Sequence, residues 1–208
     1  MIYCFGDSFT WGDELEDRAE AWPGVLAQLA QQSVYNFGFP GASNSFISRK
    51  IIEKCLEQKP DLAVVAWTTT DRYEFFAENN SSRLVNVHHG DSIDWVKTLY
   101  TEYHDVTGKF VDWLCQAILI QNFFDNQGID YRFANVFGIE EVLQANTNNE
   151  YFQKMLEFLD TDRFIGWPDA NFIDWSRGSD LGPNGHFLAQ GHQQVAEVIH
   201  KHLQDHSD

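Results

Sequence analysis

The residues best placed to do chemistry are a serine near the start of the chain and a histidine near its end. Ile2-Tyr-Cys-Phe5 is a short apolar run that stops at Gly6-Asp7-Ser8. His186 lies in Asp180-Leu-Gly-Pro-Asn-Gly-His186, just ahead of the last helical stretch. A serine hydroxyl is a weak nucleophile until a base removes its proton, and an imidazole can take that proton and return it to a leaving group. The chemistry this pair could do is acyl transfer, with Ser8 attacking an ester carbonyl. A strand-to-helix turn suits such a serine, because free N–H groups at a helix start favour negative charge. Taken alone, Gly6-Asp7-Ser8 reads first as an ordinary capped turn. The other loops shift that balance.

Acyl transfer also needs donors for the oxyanion, each worth about 10²–10³ in rate. The backbone N–H of Ser8 is one. A close-approaching glycine of the loop Gly38-Phe-Pro-Gly-Ala-Ser-Asn44 could be another, with a side chain from one of the loops at the same edge, Thr68-Thr-Thr-Asp71 among them. Gly6-Asp-Ser-Phe-Thr10 is not the G-x-S-x-G nucleophile elbow, since Thr10 stands where the second glycine would be. Asp7 is expected to hold the turn, Arg72 and Glu74 to pair or to line a pocket, and His192 to be structural.

These loops have to be gathered by the elements between them. Strands are expected at 2–5, 34–36, 62–67 and 129–136, with another at 172–174. Helical periodicity covers about 21–30, 43–58, 109–126, 140–145, 151–159 and 190–203. Such alternation is the pattern of a doubly wound parallel sheet, in which loops after strands collect at one edge. No linker or repeat divides residues 1–208, so one domain is expected. Residues 75–108 are the least regular stretch, helical at most over 92–103, and read as an insertion forming a lid or pocket wall. The acidic segment 13–20 reads as solvated surface.

The 208 residues carry a formal net charge of −17 and 43% hydrophobic content. The charge argues against nucleic acid and against anionic membrane surfaces as partners. No run of about 18 apolar residues suggests a membrane span. Three scattered cysteines, Cys4, Cys55 and Cys115, form no disulfide pattern. With no leader-like N-terminus, a cytoplasmic protein is expected. His88-His89 and His200, His202 and His206 lack metal-ligand spacing, and no phosphate-binding glycine motif is present.

Gly-Asp-Ser after the first strand, a glycine loop after the second, and a histidine loop before the last helix resemble the GDSL, or SGNH, hydrolase family in order and spacing over nearly the whole chain. The resemblance implies a three-layer α/β/α, flavodoxin-like fold with a parallel sheet of about five strands. It implies Ser8 as nucleophile, Gly41 as oxyanion donor and His186 as base, with no metal or organic cofactor. Substrates would be acyl esters of lipids, small alcohols or carbohydrates, with aromatics such as Trp67, Tyr73 and Trp95 available to stack on a sugar or hold an acyl chain. Two blocks depart from the family pattern. The oxyanion asparagine of the third block aligns with Thr70, leaving Thr70 or Asn44 to serve. The aspartate three residues before the histidine is Pro183, leaving Asp180 or a backbone carbonyl to orient His186. A serine esterase is the leading expectation. A ligand-binding module on the same fold and a glycan acyltransferase are the alternatives.

Overall fold

A computed structural model describes residues 1–76, 84–87 and 93–206. The chain enters through strand β1 (Ile2–Phe5) and the single helical turn α1 (Ser8–Trp11), then helix α2 (Trp22–Ala30) and strand β2 (Val34–Asn36). Helix α3 (Asn44–Glu57) leads into strand β3 (Leu62–Trp67). A hairpin of β4 (Tyr73–Phe76) and β5 (Leu84–Val87) follows, with α4 (Asp94–Thr98) and a π turn at Leu99–Tyr103. Then come α5 (Val106–Gln127), β6 (Asp130–Asn135), α6 (Glu140–Ala145), α7 (Glu150–Glu157), α8 (Phe172–Trp175) and α9 (Ala189–Asp205).

β2, β1, β3 and β6 form a parallel sheet in that order, with Ile2 opposite both Val34 and Leu62, and Leu62 opposite Asp130. The alternation of side chains along β1 sorts the core into two layers. Tyr3 and Phe5 pack with Ile47, Ile51, Leu114 and Phe124 of α3 and α5. Ile2 and Cys4 pack on the opposite face with Trp22 and Leu26 of α2 and Val195 and Ile199 of α9. Both faces being covered explains why β3 reads Leu62-Ala-Val-Val-Ala-Trp67 without a polar residue. The three-layer expectation holds.

The sheet has four strands rather than about five. The expected strand at 172–174 is helix α8, because the Asn171 side chain accepts from Ile173 N–H (3.0 Å) and Asp174 N–H (3.2 Å) and so nucleates a turn. Phe164 makes one parallel bridge to Phe133 in place of a fifth strand. The Asn79–Ser82 and His89–Asp91 loops and the His88-His89 pair lie outside the described residues. Within 75–108, the hairpin strands were not expected, whereas α4 and the π turn at Leu99–Tyr103 fall where 92–103 reads as helical. Cys4, Cys55 and Cys115 are free thiols, and burial raises the Cys4 thiol and pushes Cys55 up to about 12.

Candidate active site

The order β2-β1-β3 reverses direction about β1, and ligands in open α/β sheets bind outside the carboxyl ends of strands at such a point. Ser8 follows β1 and Thr68 follows β3, so both loops open there. The turn into α1 is set by Asp7, whose carboxylate accepts from Phe9 N–H at 3.0 Å. Asp7 is fully buried, and its second oxygen accepts from Thr68 Oγ1 (2.6 Å) and Arg72 Nη1 (3.1 Å). The same Nη1 donates to Ala42 O at 2.9 Å. One guanidinium therefore ties together the loops after β1, β2 and β3. Arg72 does not pair with Glu74, which meets Arg49 instead.

At the far end of the chain, His186 comes to Ser8. Its Nε2 lies 2.9 Å from Ser8 Oγ, and its ring rests on Phe9 with centroids 4.7 Å apart. Nδ1 lies 2.8 Å from Glu14 Oε2. An ionised carboxylate can only accept, so Nδ1 carries the proton and Nε2 is left as acceptor for the serine hydroxyl. That is the tautomer a general base requires.

Glu14, in the segment read as solvated surface, is the orienting residue that sequence reasoning missed. Asp180, proposed for that place, has an exposed side chain. Its backbone carbonyl accepts from Leu188 N–H at 2.9 Å, which shapes the loop, and its carboxylate makes no hydrogen bond among the described residues. Nor does a backbone carbonyl occupy Nδ1. Glu14 reaches the site because Gly12 ends α1 in the left-handed region and Glu14 itself has φ +66, a conformation few non-glycine residues adopt. Four donors converge on its two oxygens. Asn184 N–H and Nδ2 approach Oε1 at 2.8 and 3.2 Å, and His186 N–H and Nδ1 approach Oε2 at 3.1 and 2.8 Å. Desolvation works against charge on Glu14, but these hydrogen bonds outweigh it and hold the carboxyl below its usual range. The 182–186 loop closes on Glu14 so tightly that a Cβ on Gly182 would stand 2.6 Å from Glu14 Cδ. The one sequence signal was negative: Pro183 stands where the resemblance places an aspartate, which left the orienting group open without pointing to Glu14.

The expected oxyanion donors divide. Ser8 N–H and Gly41 N–H make no hydrogen bond among the described residues. Gly41 sits at φ +74, where glycine is favoured. The Asn44 amide is committed elsewhere. Its Nδ2 donates to Thr68 O (3.0 Å) and more weakly to Thr69 O (3.4 Å), and its Oδ1 accepts from Thr68 N–H (3.0 Å). Asn44 therefore shapes the third loop and is not a spare donor. Helix α3 is capped by Ser43, which accepts from Phe46 N–H. The Thr70 hydroxyl makes no hydrogen bond among the described residues.

Beside the third loop lies a cavity of about 220 Å³. Thr68, Thr69, Thr70, Asp71, His104 and Asn135 form its polar side, and Phe110, Trp113, Phe137, Ile139 and Val142 its apolar side. Phe137 meets Phe9 edge-on at 5.6 Å, which joins the cavity to α1. Asn135, at the end of β6, was not singled out by sequence; it is 7% exposed and its side chain has no partner among the described residues. Trp67, expected as a substrate wall, is core. Trp95 and Phe75 are partly exposed and pack edge-on at 5.4 Å.

His192 is structural. Helix α2 has no side-chain cap of its own, and His192 Nδ1 accepts from Trp22 N–H at 3.2 Å. Burial, followed by the nearby His186, lowers its pKa to about 3. Among the described residues no group of three or more His, Cys, Asp or Glu converges as metal ligands, and no helix is long and apolar enough to cross a membrane.

Solved structures share this fold at low identity. A lipolytic protein of the G-D-S-L family from Desulfitobacterium hafniense DCB-2 matches with a TM-score of 0.59 and 14% identity over 97% of this chain and 98% of that one. A lipase/acylhydrolase from Enterococcus faecalis matches at 0.56 and 13% over 98% and 95%. A family two carbohydrate esterase from Clostridium thermocellum, solved with cellohexaose, matches at 0.55 and 14% identity over 98% of this chain, which spans 63% of that protein. The structural neighbours are thus lipolytic proteins and esterases, and the likeness shows a common fold. No curated protein sequence matches the chain. A family model matches residues 11–208, and the chain belongs to the family of unknown function DUF6071.

Proposed function

We propose that this protein is a serine esterase that cleaves carboxylic esters through an acyl-enzyme. The observation that carries the reading is the continuous line Ser8 Oγ–His186 Nε2 (2.9 Å) and His186 Nδ1–Glu14 Oε2 (2.8 Å). Ser8 Oγ attacks the ester carbonyl carbon as His186 takes its proton. The tetrahedral oxyanion forms beside Ser8 N–H and Gly41 N–H, with the Thr70 hydroxyl as side-chain donor. Collapse expels the alcohol, protonated by His186, and leaves acyl-Ser8. Water, deprotonated by His186, then releases the acid. Glu14 stays ionised throughout and stabilises the imidazolium.

The cavity of about 220 Å³ suits a small group rather than a long chain. Its mixed lining fits a short acyl group or part of a hydroxylated alcohol. Carbohydrate ester substrates are consistent with the fold shared with carbohydrate esterases. One domain spanning 1–208, without cofactor, is the unit we propose.

Hydrolysis of p-nitrophenyl acetate and butyrate by wild type and Ser8→Ala tests the reading. Wild type is expected to turn over and Ser8→Ala to fall to background. Equal rates in the two proteins would end the esterase assignment and leave a ligand-binding module. Transfer of the acyl group to added sugar faster than hydrolysis would favour an acyltransferase.

A further inference from the structure

The opposite edge of the sheet holds a second cavity, of about 460 Å³. Ile2, Leu62 and Asp130 open β1, β3 and β6 and are register partners, so this cavity sits at the strand starts while Ser8 lies beyond a strand end. Its walls are of two kinds. Ile2, Ala30, Leu62 and Leu203 are apolar; Arg132, Arg163, His200 and His206 are basic or titratable. In a chain of net charge −17, the meeting of two guanidiniums and two imidazoles on one cavity is against the general trend.

Arg132 is the focus. It is 6% exposed, and its Nη1 donates to Asp130 Oδ1 (2.8 Å) and Tyr131 O (2.7 Å). Its Nε and Nη2 make no hydrogen bond among the described residues. A buried guanidinium with one edge unused is a fork awaiting a planar acceptor. Asp130 is shared by Arg132 and Arg163. Arg163 also meets Asp160, 3.7 Å from its Nε, so the cationic edge left for a ligand is that of Arg132. That edge suits a monocarboxylate better than a phosphate dianion, which would also face Asp130. The apolar wall calls for a hydrocarbon body.

We propose that this cavity binds an amphiphilic monocarboxylate, its head on the free edge of Arg132 and its chain along Ile2, Leu62 and Leu203. At about 30 Å³ per water-sized group, the volume holds roughly fifteen such groups, enough for an acid of medium chain length.

Sodium octanoate titrated calorimetrically into the Ser8→Ala protein tests this without reference to catalysis. Saturable binding at one site per chain is expected, with 1-octanol and inorganic phosphate at least tenfold weaker. Arg132→Met keeps the apolar stem and removes the fork, and Asp130 retains Arg163. Gln204→Trp independently fills the cavity from an exposed position on α9. Each is expected to weaken octanoate at least tenfold while folding as wild type by circular dichroism. If Arg132→Met fails to fold, Gln204→Trp decides. Absent binding, phosphate binding as well as octanoate does, or unchanged octanoate affinity in either folded variant overturns the proposal. None of these outcomes bears on whether Ser8 is a nucleophile.

Discussion

The two halves of the candidate active site are held by different means. The nucleophile–base half joins the ends of the chain, Ser8 and Glu14 to the 182–186 loop, and its polar atoms point at one another. The oxyanion half joins the middle loops, and most of its polar side chains serve structure. Asn44 ties down Thr68 and Thr69, and Thr68 and the partly buried Arg72 meet on the buried Asp7 carboxylate. Among the described residues, backbone N–H groups, Thr70 and, at the end of β6, Asn135 are left there for a substrate. On the proposed mechanism, proton transfer would use groups already hydrogen-bonded to one another, while charge stabilisation would rest on loops whose shape Asn44 and Arg72 maintain. Loss of a residue in the first half should stop chemistry without unfolding the site. In the second half, catalytic and structural losses should be mixed.

The largest effect should come from Glu14→Gln. Glu14 receives four donors, so an amide places an NH₂ against at least one of them and removes the charge opposite the imidazolium. A fall in kcat of about 10³–10⁴, with modest change in KM, is expected by analogy with triads whose carboxylate is replaced. Steady-state kinetics on p-nitrophenyl acetate checks it, and a loss under tenfold would remove Glu14 from the mechanism.

The oxyanion half is tested next by Thr70→Val, which keeps the shape and deletes the hydroxyl. A loss of about 10²-fold in kcat is expected, at the low end for one oxyanion donor. Asn44→Ala should differ in kind, lowering both rate and melting temperature, because it frees the third loop. If Thr70→Val is silent while Asn44→Ala abolishes turnover without a drop in melting temperature, the division between the halves is wrong.

His192 gives a smaller effect on stability rather than rate. Its folded pKa, about 3, lies below the unfolded value near 6.5. The unfolded chain therefore takes up a proton first as pH falls, and stability is full above about pH 6.5 and declines down to about pH 3. Between pH 7 and 5 the histidine should cost about 2 kcal/mol. Urea unfolding at both pH values should show that difference reduced by a similar amount in His192→Asn. Asp180→Ala is the smallest case, with activity within about twofold of wild type, since only its backbone contributes to the loop. A large loss there would return the orienting role to Asp180.

Much of this was legible in the sequence, because the signals were local. Ile2–Phe5 and Leu62–Trp67 are apolar runs with a single interpretation, and Gly6-Asp7-Ser8 carries its turn chemistry within three residues. Phe172–Asp174 was misread because an apolar triplet fits strand or helix, and the Asn171 cap decided for helix. Glu14 was hidden for a different reason. Its role depends on the left-handed backbone at Gly12 and Glu14 and on a partner loop about 170 residues away, neither of which leaves a periodic trace. Asn44 was ambiguous because an asparagine at a helix start can cap, donate or bridge loops, and only the positions of Thr68 and Thr69 select among these.

The most direct test of the central claim is the rate at which a fluorophosphonate modifies Ser8, followed by intact mass and peptide mapping. The account predicts one adduct per chain, on Ser8, forming at least a hundredfold more slowly in Glu14→Gln and at the wild-type rate in Asp180→Asn. No adduct at Ser8, or an equal rate in wild type and Glu14→Gln, would contradict it.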